Sequence, residues 1–155
     1  MQKLNGREIY VLVLLGLLTI ILGYSAVRET TADFSSFRST SDGTVSISKD
    51  ELRYNVTTIV QAIVTLCAFV FFLLRKRIGW ILAMPILTAF ALIAMVMAFL
   101  SGLNLFLVLV VPGIFLLGVV FLFIPSTLRK YKINRVIIFS ELLIMALLIA
   151  YYFYL

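Results

Sequence analysis

IGWILAMPILTAFALIAMVMAFLSGLNLFLVLVVPGIFLLGVVFLFIPSTL, residues 78–128, carries no charged side chain between Arg77 and Arg129. As a single helix it would run to roughly 75 Å at 1.5 Å per residue, against about 30 Å of hydrocarbon in a bilayer. It therefore has to turn. Ser101-Gly102-Leu103-Asn104 is the one group of turn residues inside it. Gly102 suits a helix C-cap and Asn104 the N-cap that follows. The stretch reads as a tight helical hairpin, with helices at 79–100 and 104–124.

Three more apolar runs surround this hairpin. The first is Ile9–Val27, between Glu8 and Arg28. Its apolar part is longer than the core of a signal peptide, so it reads as a retained helix. The second lies between Arg53 and Arg75, a helix at 52–74, and the third covers 136–154, interrupted only by Glu141. With 63% apolar and 13% charged residues, a soluble fold of this length could not hide its apolar surface. The expected fold is an all-α integral membrane protein, one domain over 1–155 with five transmembrane helices.

Basic residues set the expected orientation. Lys3 and Arg7 precede the first helix; Arg75, Lys76 and Arg77 join the second and third; Arg129, Lys130, Lys132 and Arg135 join the fourth and fifth. Five helices put all of these on one side, which the positive-inside rule makes cytoplasmic. The amino end is then inside and the carboxyl end outside. Tyr10, Trp80 and Tyr131 fall near the inner boundary, and Tyr24, Tyr54, Tyr151, Tyr152 and Tyr154 near the outer one, as interfacial belts do. The net charge of +6 points to anionic lipid at the cytoplasmic face. No groove-reading module is visible, so nucleic acid is not an expected partner.

The extracytoplasmic loop, 28–51, is rich in Ser and Thr. Asp42-Gly43, between Phe37–Thr40 and Thr44–Ile47, reads as the turn of a β-hairpin. Ser48 and Glu51 form a capping-box pattern that starts the second helix before the membrane. Asn55-Val56-Thr57 is a glycosylation sequon set too close to the membrane, and Lys49-Asp50-Glu51-Leu52 is an internal tetrapeptide with no retention role.

No reaction is written in this chain. It has no histidine and one cysteine, Cys67, read as a small buried hydrophobe. That excludes histidine-ligated zinc and His-based nucleophile pairs, and no cofactor is expected. Glu141 is the one ionisable residue inside a span. It lies about 7–9 Å below the cytoplasmic boundary, within reach of Arg7, Arg75 or Arg77. Thr58, Gln61, Ala62, Thr65 and Ala68 make a small, polar stripe along the second helix, a pattern that serves helix packing or lines a solute path. Ala91, Ala94, Ala98 and Ser101 make a similar face on the third. Pro85 falls near the start of that helix. Pro112-Gly113 interrupts the fourth and predicts a kink.

These features suggest a non-catalytic accessory or assembly subunit of a membrane complex. It would sit as a multi-pass protein in a bacterial or archaeal cytoplasmic membrane, with other membrane chains or its own copies as partners. The alternative is a small transporter or oligomeric channel built on Glu141 and the stripe of Thr58, Gln61 and Thr65.

Overall fold

A computed structural model describes residues 4–37, 49–100 and 105–154, with side chains placed over 4–28, 31, 56–100 and 109–147. Among the described residues every regular element is a helix: α1 Gly6–Phe37, α2 Lys49–Leu73, α3 Arg77–Leu100, α4 Leu105–Phe123, α5 Pro125–Lys130 and α6 Arg135–Tyr154. Three of them contain stretches long and apolar enough to cross a membrane: Gly6–Arg28, Val56–Leu73 and Arg77–Leu100. Leu109–Phe123 is equally apolar but shorter.

The charge-free stretch folds as a hairpin. Trp80 meets Leu122 and Phe123, and Phe90 faces Phe115, so α3 and α4 run antiparallel. The turn between them, with Gly102, Asn104 and Ser101, lies outside the described residues. α1 runs antiparallel to α4: Tyr10 sets its ring edge against Phe121, and Leu14 lies beside Gly118. α2 fills the other side of α1, with Phe69 over Gly16. The shared core takes Leu15 and Leu18 from α1, Phe72 from α2, Leu87 from α3 and Leu122 from α4. α6 touches this bundle along a narrow seam, chiefly against α3.

Two glycines set the closest approaches. A Cβ on Gly79 would collide with the backbone of Phe72, so the first turn of α3 lies directly on the last turn of α2. A Cβ on Gly118 would stand 3.0 Å from Leu14 Cδ1 and 3.1 Å from Leu87 Cδ1. At Gly113 the same atom would meet nothing within 4 Å.

The two basic loops share one backbone device. Arg75 donates to the Phe72 carbonyl and Lys76 to that of Phe71; Lys132 donates to Arg129 and Ile133 to Leu128. These are paired Schellman bonds, with Arg75 (φ 54°) and Lys132 (φ 53°) in the left-handed position that glycine usually takes. Each holds its basic side chain at a helix C-terminus, where positive charge is favoured.

Several expectations need correction. α1 continues ten residues past the apolar run, to Phe37, so the loop expected at 28–51 is shorter and Phe37 is helical rather than extended. The rest of the expected β-hairpin, 38–48, lies outside the described residues. α2 starts at Lys49, as its capping pattern implied. Pro85 sits in the third turn of α3, where it removes a donor to the Ile81 carbonyl inside the helix. Pro112 and Gly113 both lie inside α4, at the position where a kink was expected. Cys67 is half-buried, not buried. The short helix α5 was not anticipated; Pro125 opens it, and proline suits a first helical position because its missing N–H needs no partner there.

Candidate functional site

Glu8 is the most consequential polar residue of the bundle, although in the sequence it stands at the edge of an apolar run. It is 2% exposed. Asn5 precedes the first helical residue of α1 and its carbonyl accepts the Ile9 N–H. Glu8, three residues after Asn5, reaches back so that its Oε2 accepts the Asn5 N–H at 2.9 Å. This is the carboxylate half of a capping box, and it aims the side chain along the helix start. The same oxygen lies 3.0 Å from Lys130 Nζ at the end of α5 and 4.0 Å from Arg75 Nη2 after α2. Glu8 thus ties three elements at one end of the bundle. Its Oε1 is buried and has no donor among the described residues.

Three aromatic donors close the same end. Trp80 Nε1 donates to the Leu122 carbonyl at 3.0 Å, and the Tyr131 hydroxyl donates to Phe72 at 3.0 Å. Both acceptors lie in the last turn of a helix, where carbonyls lack an intrahelical donor. Tyr131 also stacks on the Phe72 ring, with centroids 4.7 Å apart. Tyr10 donates to Ile114 at 2.9 Å. Trp80 and Tyr131 are fully buried. They are internal latches and not members of an interfacial belt, because their polar tips satisfy buried carbonyls instead of water. Burial, and after it the Glu8 carboxylate, push the Tyr131 phenol well above its ordinary value, against the opposing pull of Arg75.

The residues singled out from sequence fall elsewhere. Glu141 is 9% exposed on α6, with no ion pair or hydrogen bond to its carboxyl among the described residues. Arg75, expected within reach of it, is drawn to Glu8. Thr58 and Thr65 are buried, and the Thr65 hydroxyl donates to the Gln61 carbonyl one turn back. The Gln61 side chain is exposed. Ala91 and Ala98 face inward, in keeping with a packing face. Pro112 is buried and Gly113 half-buried. Glu141 sits on α6, whose main neighbour in the bundle is α3, whereas the stripe lies on α2.

Chemically, the Glu8 cluster holds charge and position. It sets one carboxylate, Glu8, beside two cations, Lys130 and Arg75. Among the described residues no three Cys, Asp or Glu side chains converge as a metal site. No protein-family model matches the chain, and no curated protein and no solved structure matches it.

Proposed function

We propose that this chain is a non-catalytic accessory or assembly subunit of a membrane complex. It would have five spans, its amino end and basic loops in the cytoplasm and α5 lying at that surface. The observation that carries this reading is α6. It meets the bundle along one narrow seam and turns large apolar side chains away from it, with Val136 78% and Phe139 72% exposed. A helix so lightly held in its own chain is suited to a neighbouring chain, or to lipid beside one. The alternative of transport has less support. Its proposed polar path is divided between a half-sealed α2, with Thr65 bonded to its own backbone, and a carboxyl on α6.

Native purification should yield a stoichiometric complex, and cross-linkers at Phe139 should capture the same co-purifying chain, or a second copy. Ion flux into liposomes that is lost on Glu141→Gln would overturn the proposal. The threading is tested separately. Cysteines at Ser41 and Gly102 should react with impermeant reagents from outside and one at Lys130 should not; labelling of Gly102 and Lys130 from one side would remove the five-span arrangement.

A further inference from the structure

Arg7, Lys76, Arg77, Arg129, Lys132 and Arg135 are exposed at the Glu8 end, and their side chains have no ion pair or hydrogen bond among the described residues. The acid at that end, Glu8, is buried and engaged with Arg75 and Lys130. Uncompensated positive charge therefore borders exposed apolar surface directly: Leu73, Leu74 and Ile78 flank the first basic loop, and Val136 follows Arg135.

α6 adds the geometry. It lies against α3, both helices leave the basic end, and each opens with an arginine, Arg77 and Arg135. We propose that the mouth of the α3–α6 seam holds one anionic phospholipid, its phosphate between Arg77 and Arg135 and its acyl chains along Ile78, Val136 and Phe139. Guanidinium groups bind phosphate oxygens in pairs, which favours arginine at such a mouth. A free phosphate would use the two cations and ignore the apolar rim. A zwitterionic headgroup would bring its own ammonium into the cluster. Glu141 sits six residues past Arg135, about 9 Å along the helix, below the depth of the phosphate. The lipid would supply the contact area that α6 lacks in its own chain. This inference rests on the membrane reading above.

The test uses the full chain purified in detergent, with native mass spectrometry and melting curves. One anionic phospholipid should stay bound. After delipidation, phosphatidylglycerol should raise the melting temperature, whereas phosphatidylcholine and inorganic phosphate should not. Arg77→Gln with Arg135→Gln should weaken phosphatidylglycerol binding roughly thirtyfold, two charges at about 1 kcal/mol each. Arg129→Gln with Lys132→Gln removes the same charge from elsewhere on the rim and should leave most binding intact. Equal losses in the two pairs, equal stabilisation by inorganic phosphate, or no response of the unaltered protein to phosphatidylglycerol would each overturn the site. Release of the chain from membranes by alkaline carbonate would instead overturn the membrane reading itself.

Discussion

Lys130 Nζ lies 3.0 Å from Glu8 Oε2, although 122 residues separate the two in the chain. Arg75 stands further off, at 4.0 Å. Breaking a buried ion pair from one side costs about 3–5 kcal/mol, because the other charge is stranded. Here both cations are partly exposed, which lowers the figure. Glu8→Gln should cost about 2 kcal/mol, and Lys130→Met less, since Arg75 remains. Melting curves in detergent check this ordering. A Glu8→Gln protein as stable as the original would mean that the pair holds nothing together.

The three aromatic latches should rank by how orphaned their acceptors become. Trp80→Phe strands the Leu122 carbonyl in a buried site and should cost about 2–3 kcal/mol, part of it lost packing. Tyr131→Phe should cost about 1 kcal/mol, because the Phe72 carbonyl keeps its bond from Arg75 N–H. Tyr10→Phe, at a more exposed bond, should cost least. A Tyr131→Phe loss larger than that of Trp80→Phe would contradict this account.

Glycine substitutions should separate cleanly. Gly79→Ala drives a methyl into the Phe72 backbone and should prevent the folded state from accumulating. Gly118→Ala meets side chains and no backbone, the methyls of Leu14 and Leu87 most closely, and should cost about 1–2 kcal/mol. Gly113→Ala meets open space and should stabilise α4 by roughly 0.5–1 kcal/mol. Thermal stability of the three variants, measured side by side, decides the matter.

The Tyr131 phenol should titrate at a higher pH than the chain's exposed tyrosines, followed by ultraviolet absorbance against Tyr131→Phe. The unfolded state gives up this proton near pH 10 and the folded state later, so the unfolded state binds fewer protons in between. Stability should therefore be undiminished by this group below about pH 10 and fall as the pH rises beyond it. An unchanged alkaline slope in Tyr131→Phe would show that the phenol is not confined in this way.

The helical hairpin was legible because a charge-free stretch of that length cannot cross a bilayer once. The start of α2 at Lys49 was legible from the spacing of Ser48 and Glu51, a pattern that is local in the sequence. The large inward residues were not. Trp80 and Tyr131 stand at helix ends, the position a belt and a latch share, and helices apolar on every side give no sign of which face is covered. The same blindness hides Gly79 and Gly118, whose tightness depends on a neighbouring helix. Glu8 did leave a trace: Asn5 three residues ahead of it is a capping pattern, and Pro125 is of the residue type that suits a first helical position. α1 ran on to Phe37 through a Thr- and Ser-rich stretch whose composition argued for a loop. Glu141 was found by charge alone, and charge does not say what lies opposite.

The distance along the chain between Glu8 and its partners fixes an order of events during synthesis. Glu8 leaves the ribosome before either partner: Arg75 follows only after α2 and Lys130 only after α4. Until then the carboxylate has to be kept in water or held by other groups, and α1 can dock on its neighbours without being fastened. The arrival of α5 supplies both the lysine for Glu8 and the tyrosine for the end of α2. A nascent chain truncated before residue 130 would thus leave α1 inserted but unanchored, open to quality-control proteases that a chain carrying α5 escapes.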